Sequence, residues 1–188
     1  MEEFELKFLD VKIPVLEKIL VGLGAQKVGE YNYHRVLLED PGGEMRKKHG
    51  WVRLRTDGKE TTLTYKQSIK SEDGEKNIGM KEIEVGVENY EKTLELMKAL
   101  GLSVWLEERN KRLRYAKGDV VFDIDSWPGI PTYLEIESDS YEKVKEAARE
   151  LGFDPSEGIL GTAGTVYKHY GINHNDYSLI SFEKMVKR

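Results

Sequence analysis

The residues best suited to chemistry come in pairs two positions apart. Glu3 and Glu5 stand in "EFELK", Glu82 and Glu84 in "KEIEV", Glu135 and Glu137 in "LEIES", and Asp123 and Asp125 in "FDID". Bases repeat the spacing as Arg53 and Arg55 in "VRLRT" and Arg112 and Arg114 in "KRLRY", joined by Lys7 and Lys66. Paired carboxylates offer oxygen ligands to a hard divalent cation such as Mg2+ or Mn2+. Paired arginines present forked donors that match phosphate oxygens, whereas surface solubility would be served by lysine. One coherent chemistry uses both: a polyphosphate gripped by arginine and lysine, its oxygens bridged to the carboxylates by a metal ion.

A spacing of two is the period of a β-strand, so each pair shares one face of an extended segment. The intervening residues are apolar: Phe4 and Leu6, Val52 and Leu54, Leu63 and Tyr65, Phe122 and Ile124. Nearly every strand therefore has one apolar and one ionic face. Helices need an apolar partner, which assigns them to the apolar side. The ionic side then faces either the lumen of a closed barrel or open water, where acids and bases would form surface pairs worth at most about 1 kcal/mol each. Both arrangements satisfy the pattern.

Three amphipathic helices are expected in "IPVLEKILVGLG", "NYEKTLELMKALG" and "SYEKVKEAARELG". Their buried faces would be Ile13, Leu16, Ile19, Leu20 and Leu23; Tyr90, Leu94, Met97 and Leu100; and Val144, Ala147, Ala148 and Leu151. Asn89 and Ser140 suit N-caps, and each helix ends Leu-Gly. Each follows a Glu-x-Glu strand. Two hairpins starting Arg-Leu-Arg turn at Asp57-Gly58 and Lys117-Gly118. Residues 51–101 and 109–152 thus read as two copies of one hairpin, strand and helix module, and the first strand and helix as a partial third. The sum is about eight mostly antiparallel strands with helices outside. Segments "GTAGTVYKHYG" and "SFEKMVKR" suit either short helices or loops.

At 188 residues, the chain suits one domain with a real core. Without cysteine it has no disulfide, thiolate site or cysteine nucleophile. A net charge of −5 argues against a broad nucleic-acid surface while leaving room for a basic cavity. No apolar run reaches membrane-spanning length and the acidic start does not read as a signal peptide, so no membrane partner and a cytoplasmic location are expected. The four histidines lack ligand spacing, "GILGTAG" lacks the Gly-Lys-Ser/Thr of a P-loop, and Trp51, Trp105 and Trp127 read as packing residues. The basic run "EMRKKHG" reads as a solvated turn or as a lip guiding anions.

Taken in order, these residues resemble the CYTH family, the triphosphate tunnel metalloenzymes that include class IV adenylate cyclases and thiamine triphosphatases. Glu3, Glu5 and Lys7 match its ExExK signature, Arg53 and Arg55 its RxR, Lys66 the next strand's lysine, Glu82 and Glu84 its middle ExE, and Arg112 its second basic strand. Asp125, Gly129, Tyr133, Glu135 and Glu137 fit the aspartate, glycine turn, aromatic and E-I-E that follow. The resemblance implies an α+β fold, an eight-stranded antiparallel tunnel with helices packed outside. It makes residues 1–188 a single domain with a core over 1–172 and a tail over 173–188 that is a loop or short helix.

The same resemblance implies metal ligation by Glu3, Glu5, Glu135 and Glu137, with Asp125 nearby. Lys7, Arg53, Arg55, Lys66 and Arg112 would grip the triphosphate, strand parity adds Arg114, and Glu82 and Glu84 would orient the bases, the favoured role, or take a second cation. Lys66 is the nominated proton acceptor, with Lys7 beside it as a catalytic candidate. Hydrolysis of a nucleotide, thiamine triphosphate or tripolyphosphate is the favoured reaction; cyclisation of ATP and non-enzymatic polyphosphate binding are the alternatives. A homodimer through exposed helix faces is a further expectation. Two departures bear on the reaction: Arg35 and Leu37 in "YNYHRVLLEDP" replace an aspartate and a tyrosine of the family, and Asn110 stands where a lysine is common.

Overall fold

A computed structural model describes residues 2–70 and 77–188, with side chains described at 4–69 and 81–188. Among them are ten strands, mostly antiparallel, and five α-helices. The chain divides into two compact units, one of residues 1–2, 32–109 and 175–188, the other of residues 3–31 and 110–174.

In the first unit the strands follow the order β10 (Met185–Lys187), β9 (Tyr177–Ile180), β6 (Ser103–Lys117), β2 (Gln26–Glu39), β3 (Gly50–Thr56), β4 (Thr61–Lys70), β5 (Asn77–Gly86). Alternation in β3 sends Leu54 into an apolar cluster with Val36, Leu38 and Tyr90, closed by Leu94 and Met97 of α3 (Tyr90–Ala99). The Asn89 side chain accepts the Lys92 N–H at 2.8 Å and starts that helix. Leu100, expected on the buried face, is instead 65% exposed, because the helix has ended at Ala99 and Gly101 turns the chain with φ +92°. A short helix, α2 (Glu44–Lys47), occupies the basic run.

The second unit orders its strands β1 (Glu2–Phe8), β8 (Tyr133–Ser138), β7 (Val120–Ser126) and the C-terminal part of β6. Its core joins Leu6, Phe8, Phe122, Ile124, Leu134 and Ile136 to Leu16 and Leu20 of α1 (Ile13–Gly22) and Val144, Ala147 and Ala148 of α4 (Tyr141–Glu150). Ile19 is half-exposed rather than buried, since the stripe that meets the sheet is narrower than the sequence suggested. Ser140 sits at the N-cap of α4 without a side-chain capping bond. Helix α5 (Ala163–His169) forms where either a helix or a loop was expected. The tail segment "SFEKMVKR" is not a helix: Met185–Lys187 pair with β9, whose Leu179 and Ile180 run parallel to Glu107 and Glu108 of β6.

Burial bears on the question that alternation left open. On the apolar side Leu6, Leu54, Ile124 and Ile136 are buried, and several ionic side chains are buried too: Lys7 is 1% exposed, Asp123 0%, Asp125 1%, Glu135 7% and Arg53 8%. A solvated sheet face would leave such side chains in water.

Candidate functional site

In the second unit, antiparallel registers build two rows across the ionic face. One runs Arg114, Asp123, Glu135, Lys7, the other Val121, Glu137, Glu5. Glu5, Glu135 and Glu137 thereby converge, each offering a carboxylate oxygen within 4.8 Å of the others. Ligand distances of about 2.0–2.6 Å give one ion a span of about 4–5 Å, so these hard oxygen donors fit a divalent cation. Glu3 lies on the same strand, but its side chain is outside the described residues.

The Lys7 ammonium touches two of the three acids, Glu5 Oε1 at 2.7 Å and Glu135 Oε2 at 2.9 Å. Burial alone would push Lys7 down; Glu135 and Glu5 outweigh it and hold the ammonium above its ordinary value. Lys7 thus spaces the carboxylates that would otherwise repel one another.

Arginines and aspartates interlock beside this cluster. Arg112 donates from Nε and Nη2 to the two oxygens of Asp125 at 2.8 and 2.7 Å, and its Nη1 meets Asp123 at 2.5 Å. Its Nη2 also reaches Glu135 Oε1 at 3.3 Å. Arg114 makes the same fork on Asp123 at 2.7 and 2.6 Å. Burial opposes the Arg112 charge, but Asp125, Asp123 and Glu135 more than restore it. Asp123 is pushed upward by burial against the pull of Arg112 and Arg114. Asp125, expected near the metal, is bonded to Arg112, which links it to Glu135 of the three-glutamate cluster. Asp123 is a member that sequence reasoning left out of the site, although its parity with Asp125 was visible.

In the first unit the rows are Leu37, Arg53, Thr64, Glu84; Arg35, Arg55, Thr62; and Trp51, Lys66, Glu82. Arg53 Nη2 lies 3.4 Å from Thr64 Oγ1, 3.4 Å from Glu82 Oε1 and 3.3 Å from Glu84 Oε2. Lys66 pairs with Glu82 at 2.5 Å, and Glu84 Oε2 also accepts the Thr64 hydroxyl at 2.7 Å. Burial, then the charges of Arg55 and Arg35, push Arg53 down to about 9 against Glu82 and Glu84. Burial would raise Glu84, but the Thr64 hydroxyl and the Arg55 and Arg53 charges hold it below its ordinary value. Arg53 and Arg55, shared between Glu82 and Glu84, present the forked donors that match phosphate oxygens.

His34 meets Glu107 at 3.0 Å, and the ring of Trp127 packs edge-on against Tyr167 at 6.1 Å between centroids. Trp105 lies under the guanidinium groups of Arg46 and Arg188, at 5.2 and 5.5 Å.

A family model, the CYTH domain, matches residues 1–162. The chain belongs to the CYTH family. Strands β9 and β10 lie beyond the matched part of this CYTH chain. Its backbone is similar to that of the PH1012 protein from Pyrococcus horikoshii OT3, with 24% identity and a TM-score of 0.68 over 85% of this chain and 94% of that one. A candidate adenylate cyclase from Vibrio parahaemolyticus gives a TM-score of 0.74 at 10% identity, covering 89% and 98%. A candidate adenylyl cyclase from Hippeastrum, described as having a dominant triphosphatase activity, gives 0.64 at 15%, covering 92% and 97%. These likenesses show the shared fold. Among curated proteins, none matches the chain. Among the described residues no helix is long and apolar enough to cross a membrane.

Proposed function

We propose that this CYTH chain is a divalent-metal-dependent triphosphatase. The observation that carries the reading is the presence, in one CYTH chain, of a three-carboxylate cluster with the spacing of a single cation and of neighbouring arginine forks on one strand face that fit phosphate oxygens. Glu5, Glu135 and Glu137 would hold Mg2+ or Mn2+, with Glu3 of the same motif beside them. When bound, the ion neutralises phosphate oxygens and makes the terminal phosphorus more electrophilic.

The chain's own side chains supply the rest. Arg53 and Arg55 bind non-bridging oxygens, their forks oriented by Glu82 and Glu84. Arg112, saturated by Asp125, Asp123 and Glu135, fixes the carboxylate array, and Arg114 presents its remaining donor from the Asp123 fork. A water oxygen attacks the terminal phosphorus as the bond to the bridging oxygen breaks, and that oxygen leaves on the shortened phosphate chain. Lys66 is the proposed acceptor of the water proton, a role that requires its ammonium first to give up a proton to solvent as it leaves Glu82, and Lys7 neutralises anionic charge beside the acidic cluster.

The Hippeastrum relative's described triphosphatase activity supports hydrolysis over cyclisation. The test is incubation with Mg2+ or Mn2+ and a panel of tripolyphosphate, ATP and thiamine triphosphate. Metal-dependent release of inorganic phosphate is the expected result. Cyclic AMP and pyrophosphate from ATP would replace this reading with class IV cyclisation, and binding without turnover would replace it with a polyphosphate-binding module.

A further inference from the structure

Three acids and one base stand at the corners of a square on the ionic face of the second unit. Glu5 of β1 lies directly opposite Glu137 of β8, and two residues further along Lys7 lies opposite Glu135. The three acids are the cluster with the spacing of a single cation. The fourth corner supplies a cation of its own. Lys7 Nζ is bonded to Glu5 Oε1 at 2.7 Å and to Glu135 Oε2 at 2.9 Å, with the lysine side chain 1% exposed, so a buried ammonium bridges two of the three acids.

The main chain under this lysine is fixed. The Lys7 N–H donates to the Ile159 carbonyl at 3.0 Å and the Lys7 carbonyl accepts from the Ile159 N–H at 2.9 Å, while the strand itself pairs with β8. Only side-chain torsions therefore separate a bonded ammonium from a withdrawn one. Glu135 is held by bases on both oxygens, Oε2 by Lys7 and Oε1 by Arg112 Nη2 at 3.3 Å. A divalent ion that draws on Glu5 and Glu135 takes lone pairs from the carboxylates that Lys7 already uses, and brings positive charge toward a buried ammonium where water screens little.

We propose that Lys7 competes with the divalent ion for Glu5 and Glu135, so that the ion enters only as the ammonium withdraws from them. The lysine thereby holds metal affinity below what the three carboxylates would reach without it, and regulates how readily the site fills and empties. The inference rests on the metal site of the function proposed above and not on turnover.

One test is calorimetric binding of Mn2+ to the metal-free wild type, Lys7→Met and Lys7→Arg, with no phosphate present. Lys7→Met keeps a stem of similar shape and removes the competing charge, so it is expected to bind Mn2+ about tenfold or more tightly than the wild type. Lys7→Arg keeps the charge and should stay within about threefold of the wild type. A lysine that only braces the carboxylates predicts the opposite sign, since its loss would disperse them and weaken Mn2+. Melting gives an independent reading. Without metal, Lys7→Met should melt lower than the wild type, because opposed acids have lost the cation between them, and Mn2+ should raise its melting temperature by more.

A second measurement needs no folded Lys7→Met protein. The nitrogen resonance of the wild-type Lys7 ammonium, assigned by its loss in Lys7→Arg, should show slow proton exchange with water before metal is added and faster exchange at a Mg2+ concentration that saturates the site. Exchange that stays equally slow with Mg2+ bound, or a Lys7→Met protein that binds Mn2+ no better than the wild type, would overturn the competition and leave the three-carboxylate site and hydrolysis standing. Tighter Mn2+ binding in Lys7→Met, with no phosphate release by the wild type under any metal, would leave the competition standing and overturn hydrolysis. Failure of both proteins to bind Mn2+ overturns the metal site and the competition together.

Discussion

Arg112 and Asp125, directly opposite one another on β6 and β7, are joined by two parallel hydrogen bonds of 2.8 and 2.7 Å, with Asp125 only 1% exposed. An aspartate spent in this way on a guanidinium works as its anchor. Arg112 in turn reaches Asp123 and Glu135, so the pair connects the aspartates to the acidic cluster.

Asp125→Ala removes one arm of a buried ion pair and leaves Arg112 with its two remaining carboxylates. The expected loss of stability is about 3 kcal/mol, at the lower end for breaking such a pair, read from urea denaturation. Metal affinity should change by no more than about threefold, measured as Mn2+ binding by calorimetry. A loss of tenfold or more would return Asp125 to the ligand set.

Glu137→Gln should behave in the opposite way. It replaces one of three converging anionic donors with a weaker neutral oxygen, so Mn2+ binding is expected to weaken by about tenfold or more. Glu137 is only half-buried, so stability should change little. Chelation of the metal is expected to stop phosphate release, and added Mn2+ to restore it in the wild type at concentrations too low for the variant.

Much of this arrangement is visible in the sequence because strand parity is local. That Glu5, Lys7, Arg53, Arg55, Asp123, Asp125, Glu135 and Glu137 share faces opposite Leu6, Leu54, Ile124 and Ile136 needs only a period of two. The helix ends are local too, since Gly101 and Gly152 adopt φ +92° and +85°, which other residues resist. What parity cannot give is register. Whether Asp125 meets Arg112 or a metal depends on how β6 and β7 slide past each other. Whether Arg35 meets Arg55 depends on the whole segment between Glu39 and Gly50. The tail departs from the helix or loop expected of it for a related reason: Met185–Lys187 is extended because β9 offers an edge, a partner no local pattern announces.

Lys66→Met tests the proton acceptor. The lysine stands opposite Glu82 in the register and pairs with it at 2.5 Å, so methionine keeps the stem and removes the charge. If Lys66 takes the proton from the attacking water, kcat should fall by about 10²–10⁴-fold. KM should rise by a smaller factor, from the lost cation. Undiminished turnover at saturating substrate would dismiss the assignment.

Glu84 makes stability depend on pH. Its folded value lies below the ordinary 4.5, because the Thr64 hydroxyl and the Arg55 and Arg53 charges outweigh the burial that opposes them. The stabilisation it provides is therefore complete above the unfolded value and is lost as pH falls through the folded one. Urea midpoints of the wild type and Glu84→Gln should differ at pH 7 and converge as the pH is taken down to about 3. A gap that stays constant over that range would show that the carboxylate charge is not what Glu84 contributes.

Tyr167 fixes the segment that carries Asp125 into β8. It is fully buried, and its hydroxyl donates to the Pro128 carbonyl at 2.7 Å, within the turn between Asp125 and Tyr133. Tyr167→Phe keeps the ring against Trp127 and deletes only that donor, leaving a buried carbonyl with one bond fewer. The expected loss is about 1 kcal/mol, seen as a lower urea midpoint with an unchanged slope. Because Tyr133 pairs with Asp125 and Glu135 with Asp123, a looser turn would let β8 shift against β7 and disperse the carboxylates. Mn2+ affinity should therefore fall with stability in Tyr167→Phe, by a factor of a few. Affinity that holds while stability drops would confine Tyr167 to packing.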